Sequence, residues 1–207
     1  MGTDFLTFMQ IAIVSPRKTI GYILSKLRSP ADFSLLIVLL GVLSTIWLKV
    51  ITYVLTRIDS DIFSRFDDVI NHNEDGSLLR VFSDVAFATF TQAIVTTLIA
   101  LFSWFTGKMI GGKGSLYNMY IVIAWWGLVN SILFIIYSFL IGIFIAFGGA
   151  VGNMLILMLA TTYISYSYWV LASYITEVHG ISNIMYVVFT ILVLQILIWY
   201  GMEVIAV

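Results

Sequence analysis

Three groups of polar residues stand in an otherwise apolar sequence, and they are the places where chemistry could occur. The first is a glycine- and lysine-rich segment, GKMIGGKGS at residues 107–115, between two long apolar runs. The second is a pair of titratable residues two positions apart, Glu177 and His179. The third consists of polar residues isolated inside apolar runs: Asp84, Gln92 and Asn130. The corresponding chemistries are a phosphate-binding loop, a metal or acid–base site, and an intramembrane polar path.

The glycine-rich segment begins like a phosphate-binding loop, because Gly107 is followed at the right spacing by Gly112 and Lys113. The next residue is Gly114 instead of Ser or Thr, and a long apolar run precedes the segment where a β-strand is required. We therefore reject a nucleotide site. The glycines instead predict a tight turn, with Ser115 as N-cap of the following helix. Lipid phosphate binding at this helix N-terminus would use the same atoms and stays an alternative function.

Glu177 and His179 are too few to hold a metal by themselves. A zinc site needs three or four protein ligands, and the others would have to come from elsewhere, such as Asp32 or Asp4. We expect the pair to close a turn by hydrogen bonds to helix ends. Neither His179 nor His72 lies in a Ser/His/Asp pattern, and the sequence has no HExxH motif. We predict no enzymatic activity, no metal and no cofactor.

The residues Asp84, Gln92 and Asn130 have two interpretations. An ionisable group within a membrane span is a functional candidate by default, and a proton or cation path would use all three. Arg80 lies four residues before Asp84, so an ion pair near the outer interface is the plainer explanation of the carboxylate. Hydrogen bonding between helices explains the amides without transport, and we favour that interpretation.

Composition identifies the solvent of the fold. The chain has 207 residues, of which 61% are hydrophobic and 10% charged, against about 45–50% apolar and about 25% charged in soluble domains. A soluble fold of this size cannot hide that much apolar surface, so lipid must surround it. The net charge of −1 argues against nucleic acid as a partner. The absence of cysteine excludes disulfides and thiol catalysis.

Five apolar runs are long enough to cross a bilayer, since one crossing takes about 20 apolar residues. Such runs must be helices, because hydrocarbon offers no water to unpaired backbone groups. The sequence therefore predicts an all-α polytopic membrane protein with five transmembrane helices. The predicted spans are residues 33–55, 78–106, 116–141, 153–174 and 183–205. A charged outer loop at residues 56–79, with a surface helix in it, separates the first two spans.

Residues 1–31 form a basic, amphipathic segment ahead of the membrane domain, residues 32–207. We expect two short helices divided at Pro16, lying in the membrane interface with the basic one facing anionic headgroups. A cap packed under the helix bundle explains the same pattern equally well. The candidate headgroup contacts are the cations of this segment and of the glycine-rich turn: Arg17, Lys18, Lys26, Arg28, Lys108 and Lys113.

The distribution of Lys and Arg predicts the orientation of the chain. The six candidate headgroup cations would lie on one side of the membrane, and four others on the opposite side: Lys49, Arg57, Arg65 and Arg80. The four sit close to acidic residues of one loop, whereas the six are largely uncompensated. The positive-inside rule then places the N-terminus in the cytoplasm and, after five spans, the C-terminus outside.

Three segments resemble prokaryotic members of the Yip family, whose name stands for Ypt-interacting protein. They are GGKGS at residues 111–115 with the aromatic helix that follows, SPRKT at residues 15–19 through Ser29-Pro30, and YW at residues 168–169 through EVHGIS at residues 177–182. The resemblance implies five spans and a cytosolic N-terminus. Eukaryotic relatives bind Rab GTPases in ER and Golgi traffic. Their long cytosolic N-terminal extension has no counterpart here, so we do not expect a GTPase partner.

These observations together predict a non-enzymatic integral membrane protein of the Yip type, placed in a prokaryotic cytoplasmic membrane. It would organise the membrane or bind a partner, with the bilayer and its anionic headgroups as expected partners and a homo-oligomer or second protein as further ones. The alternative is a small transporter, channel or lipid-translocating protein with a polar path among spans two to four. A water-accessible cavity at Asp84, Gln92 or Asn130 would favour that alternative.

Overall fold

The structure is a computed structural model of the chain, and it describes residues 11–27, 29–58 and 78–205. Within those ranges, side chains are described except for residues 50–58, 78–80, 146 and 198–205. Most of the predicted outer loop with its surface helix, and most of the first predicted amphipathic helix, lie outside the described residues.

The described part of the chain is helical throughout, apart from its turns, and the all-α prediction is confirmed there. Residues 11–14, the first that the structure describes, are helical. Longer helices follow in chain order: α1 (Pro16–Lys26), α2 (Pro30–Ile58), α3 (Leu78–Met109), α4 (Leu116–Phe147), α5 (Gly149–His179) and α6 (Ile184–Ile205).

Four of these helices, α2 to α5, are long and apolar enough to cross a membrane. A polytopic membrane fold is therefore supported by length and composition. All four helices extend beyond the predicted spans at one end or both. Helix α6 has 22 residues, but its side chains are described only up to Leu197. The fifth crossing stays a prediction.

The turns around α4 and α5 are defined by capping residues. The hydroxyl of Ser115 accepts a hydrogen bond from the backbone N–H of Asn118 at 3.1 Å, so the predicted N-cap of α4 is confirmed. Helix α5 ends at His179 and is capped by Gly180, which has the left-handed φ of 65° that glycine adopts without steric cost. The N–H of Ile181 then donates to the carbonyl of Thr176 at 2.9 Å, which closes the helix end.

The connection between α4 and α5 is shorter than the sequence pattern predicts. Helix α4 runs past residue 141 to Phe147, and the chain reverses at Gly148 and Gly149, both with positive φ. A Cβ at Gly152 would lie 2.6 Å from the carbonyl oxygen of Phe144, so glycine there lets α5 start directly against the end of α4. The small residues Gly148, Gly149 and Gly152 therefore allow the two helices to approach closely at a tight reversal of the chain.

Successive helices run antiparallel, so one end of the bundle collects several helix termini. We call it the turn end and define it by residues 107–115 and 177–183, the α3–α4 and α5–α6 connections. The start of α2 lies there as well, because the rings of Phe33 and Tyr120 are 5.7 Å apart. At the opposite end, Lys49 of α2 approaches Asp84 of α3.

Helix α1 packs on the bundle near the turn end. Its residues Ile20 and Ile23 are buried against α4 and α5. The preceding helical turn is fixed to α5 by a 2.7 Å hydrogen bond from the Tyr166 hydroxyl to the carbonyl of Ile13. The apolar face of α1 is thus covered by protein, as the cap alternative would have it, and the choice between cap and interfacial helices stays a prediction. The exposed face carries Arg17, Lys18 and Lys26.

Candidate functional site

The two turns singled out in the sequence pack against each other. The backbone N–H of Lys113 donates to the carbonyl of His179 at 3.1 Å, and the indole N–H of Trp104 donates to the carbonyl of Gly114 at 3.3 Å. Within the first turn, the N–H of Gly112 donates to the carbonyl of Gly107 at 2.8 Å. Two segments far apart in sequence therefore form one joint at the turn end.

Glycines of the first turn enclose the imidazole of His179. A Cβ added at Gly107 would lie 2.5 Å from Nε2, and one at Gly112 would lie 2.6 Å from Nδ1. A Cβ at Gly114 would lie 3.0 Å from the ring Cγ. Such approaches are closer than packed carbon atoms tolerate. Gly107 and Gly112 are thus required by the close approach of the His179 side chain, and Gly114 first by the carbonyl oxygen of Val178, 2.7 Å from a Cβ there. Gly111, with φ 85°, is required by the turn itself.

The imidazole of His179 is buried without a hydrogen-bond partner. The residue is 3% exposed, and among the described residues neither ring nitrogen makes a hydrogen bond. Burial lowers the pKa of the His179 imidazole, and the backbone of Gly112 acts in the opposite direction. Since buried polar atoms are nearly always paired and an unpaired one costs about 1–3 kcal/mol, this ring needs a specific explanation. The hydrogen bonds that close the turn at this residue are made by its backbone, since the carbonyl of His179 accepts from the N–H of Lys113.

Glu177 has a partner that the sequence did not predict. Its carboxylate accepts from Nε of Arg17 at 3.2 Å, which joins α1 to the end of α5. Both side chains are substantially exposed, and such pairs contribute about 0–1 kcal/mol. Their effect is thus to fix the position of α1 more than to stabilise it. Within the described ranges, no three His, Asp or Glu side chains converge on a metal-sized site.

A groove of about 830 Å³ opens between the two turns. Both α4 and α6 begin at it: Ser115 caps α4, and the side chain of Asn183 accepts from the N–H of Met185 at 2.9 Å at the start of α6. Helix N-termini present backbone N–H groups and a partial positive charge. The groove is lined by residues 110–115, Asn118, residues 177–182 and Tyr186.

The structure brings five of the six candidate headgroup cations to the turn end. Lys108 and Lys113 belong to the first turn, and the ammonium of Lys108 lies 5.8 Å from the ring centroid of Trp104. Arg17 lies against Glu177. Lys18 and Lys26 are exposed on α1, whereas Arg28 lies outside the described residues.

The candidate intramembrane residues each pair with a residue of a neighbouring helix. The amide of Gln92 donates to the hydroxyl of Ser44 at 2.8 Å, between α3 and α2. The side-chain oxygen of Asn130 accepts from Tyr163 at 2.8 Å and from Ser167 at 3.3 Å, between α4 and α5. This arrangement matches the favoured interpretation, hydrogen bonding between helices.

Asp84 also has a partner on a neighbouring helix. Its carboxylate lies 3.5 Å from Nζ of Lys49 on α2. The local pair with Arg80 that the sequence predicted stays a prediction. The side chain of Arg80 is outside the described set. Since Lys49 lies near the end of one predicted span and Asp84 near the start of the next, their closeness follows from the antiparallel hairpin.

Comparisons with protein-family models, with curated proteins and with solved structures find no match for this chain. The resemblance to the Yip family therefore depends on the three sequence segments alone.

Proposed function

We propose that this protein is a non-enzymatic, five-span integral membrane protein that organises the membrane or binds a partner at its turn end. The observation that carries the proposal is a difference between the polar groups inside the helix bundle, which are paired, and those at the turn end, which are exposed or unpaired. Gln92, Asn130 and Asp84 are each paired with a neighbouring helix. The turn end instead combines exposed cations, an unpaired buried imidazole and an open groove.

The proposed topology includes α6 as the fifth crossing. Its 22 residues span about 33 Å at about 1.5 Å per residue, against a hydrocarbon core of about 30 Å. Arg17, Lys18, Lys26, Lys108 and Lys113 share the turn end, so the positive-inside rule supports a cytoplasmic turn end. The N-terminus is then cytoplasmic and the C-terminus outside, in a prokaryotic cytoplasmic membrane.

The proposed Yip-type assignment draws support from where the three resembling segments lie. GGKGS at residues 111–115 and EVHGIS at residues 177–182 form the joint around His179. SPRKT at residues 15–19 supplies Arg17, which binds Glu177 of the same joint. Segments that are scattered in sequence thus meet at one place.

The orientation is tested by charge reversal in the first turn. The chain has no cysteine, so single cysteines introduced at Ser25 and at Ala150, an exposed position between two predicted spans, report each end without background. We expect Ser25→Cys to be labelled from the cytoplasmic side only. Replacing both Lys108 and Lys113 with Glu is expected to mix the two orientations, because it removes the positive charge between α3 and α4. Unchanged labelling in that variant would contradict the assignment.

The function is tested by reconstitution into liposomes that contain anionic lipid. We expect proton flux, cation flux and labelled-lipid translocation to equal those of empty liposomes. We also expect labelled anionic lipid to be enriched around the protein, and high salt to reduce the enrichment because it screens the exposed cations. Flux that Asp84→Asn or Asn130→Leu abolishes would establish the transport alternative instead.

A further inference from the structure

We propose that protonation of His179 opens the joint between the two turns, so that the turn end is closed at neutral pH and open in mild acid. In the closed form the glycine-rich turn at residues 107–115 covers the imidazole at the end of α5. In the open form the turn moves away and water reaches the ring. Such a switch goes beyond the proposed function, because it operates whichever lipid or protein the turn end binds.

The closed joint encloses the ring of His179 without a place for an added proton. Gly107 faces Nε2 and Gly112 faces Nδ1, each so closely that a Cβ would collide with the ring. The residue is 3% exposed, and neither ring nitrogen is hydrogen-bonded in the described part of the chain. The imidazolium carries a full charge and two N–H donors, against one N–H in the neutral ring. Burying an unpaired charge is far more costly than burying a neutral polar group, so protonation destabilises the closed form.

The charges on the first turn oppose protonation as well. Lys108, in the last turn of α3, lowers the pKa of the His179 imidazole further, in addition to burial. Lys113 is joined to the same residue by its backbone N–H, which donates to the carbonyl of His179 at 3.1 Å. The backbone of Gly112 raises the pKa, but by less than burial lowers it.

The other elements packed against α5 supply no compensating carboxylate from their described residues. These elements are α1, α3, α4 and α6. Helix α4 contains no charged residue, and the titratable group of α6 at the groove is the phenol of Tyr186. The described charges of α1 are all cationic: Arg17, Lys18 and Lys26. On α5 itself, the carboxylate of Glu177 is already paired with Arg17.

The glycine-rich turn is held to α5 weakly enough to open. In the described part of the chain, one backbone hydrogen bond joins the two turns, from Lys113 to His179. The other contacts of the first turn stay within α3 and the turn, since Gly112 bonds the carbonyl of Gly107 and the indole of Trp104 bonds that of Gly114. Glycine also has the widest choice of backbone conformations. The turn can therefore move away from the ring while the helices on either side stay packed.

The pH range of the switch lies between two pKa values of the same ring. His179 is outside the predicted span 153–174, at the turn end. In the open form its pKa approaches the ordinary value of about 6.5, whereas in the closed form burial lowers it. Between these values the open form binds more protons, so acid favours opening by up to about tenfold per pH unit. Above the open-form value the joint stays closed.

Hydrogen–deuterium exchange tests the switch on the full chain in neutral detergent. The protection of the Gly112 and Lys113 N–H groups, corrected for the intrinsic pH dependence of exchange, measures how often the joint opens. We expect this protection to be constant above about pH 6.5 and to fall below it by up to about tenfold per pH unit. The N–H of Gly152, which donates to the carbonyl of Gly148 at the α4–α5 reversal, is the internal control and should keep its protection.

Two matched variants identify the group that titrates. His179→Gln removes the ionisable ring, and we expect the protection of the turn to become independent of pH. Glu177→Gln removes the partner of Arg17, and we expect it to respond to pH as the wild type does. Loss of the response in Glu177→Gln would assign it to the ion pair and overturn the proposal. Constant protection in the wild type, or an unchanged response in His179→Gln, would overturn it too.

A direct titration decides the matter even when His179→Gln does not fold. The chain has two histidines, so in His72→Asn the remaining imidazole signal in an NMR spectrum belongs to His179. We expect this ring to titrate below the ordinary value of about 6.5. A pKa at or above that value would overturn the switch, because the closed form would then not disfavour the proton. The tests of orientation and of lipid enrichment do not depend on this result.

Discussion

The two halves of the helix bundle are built differently. All buried hydrophobic side chains of the described residues lie in the helical turn at residues 11–14, in α1, or in the half nearest the turn end. In the opposite half, which we call the far half, large apolar side chains point outward, and Phe82, Phe87, Phe139 and Phe147 are 70–73% exposed. The far half is made of residues 44–49, 81–95, 130–147 and 149–166.

The two halves differ in the contacts that hold their helices together. Lipid tails are as apolar as leucine, so no hydrophobic force holds helices together within the hydrocarbon. The far half accordingly depends on individual pairs such as Asn130 with Tyr163 and on ring contacts such as Trp47 with Phe134, 4.8 Å apart. The half nearest the turn end is packed around fully buried side chains such as Tyr174 and Ile175. We therefore expect substitutions near the turn end to lower the free energy of unfolding more than substitutions in the far half do.

The largest effect is expected where glycine meets the His179 ring. Gly107→Ala places a methyl group 2.5 Å from Nε2, and such overpacking costs about 1–3 kcal/mol. The free energy of unfolding in mixed micelles, followed by tryptophan fluorescence, measures it. Gly21→Ala is the matched control, because a Cβ there meets nothing within 4 Å.

A double variant tests whether the imidazole causes that loss. Adding His179→Ala to Gly107→Ala removes the colliding ring, so part of the lost stability should return. If Gly107→Ala and Gly21→Ala unfold alike, or the double variant recovers nothing, the glycine joint does not hold the turn end together.

A smaller effect is expected from a polar pair of the far half. Asn130→Leu removes the acceptor of Tyr163 and Ser167, and hydrogen bonds between membrane helices contribute about 0.6 kcal/mol, at most about 1.7. Ser138→Ala is a suitable control, since its hydroxyl bonds only the backbone of its own helix. A loss larger than that of Gly107→Ala would invert the comparison between the two halves.

The sequence predicts elements better than contacts in this protein. Apolar runs of the length of a bilayer determine α2 to α5, and Ser115 was predicted as a cap because its role depends on local geometry alone. The joint around His179 depends on how α3 and α5 cross, which no local pattern specifies. The sequence therefore yielded a turn from Gly107 and Gly112, but not the side chain that those glycines accommodate.

For the charged residues, too, the sequence predicts the position better than the partner. Their clustering at one end was predicted from the antiparallel order of the spans. The partners were not, because Glu177 bonds Arg17 and Asp84 bonds Lys49 across helices, where several charged residues compete. Long, flexible side chains near a surface choose partners by small differences in free energy, and sequence spacing favours only the local candidates.

The smallest effect is expected at Lys49 and Asp84. Their side chains are both partly exposed, at a separation of 3.5 Å, and exposed pairs contribute about 0–1 kcal/mol that salt reduces. A double-mutant cycle with Lys49→Gln and Asp84→Asn, measured by the same unfolding assay at low and high salt, gives the coupling directly. We expect a coupling below that of Asn130 and close to zero at high salt. A coupling that salt leaves unchanged would mean that the pair lies in hydrocarbon, because salt does not screen charges in a low-dielectric environment. The boundary between hydrocarbon and water would then lie farther out than this pair.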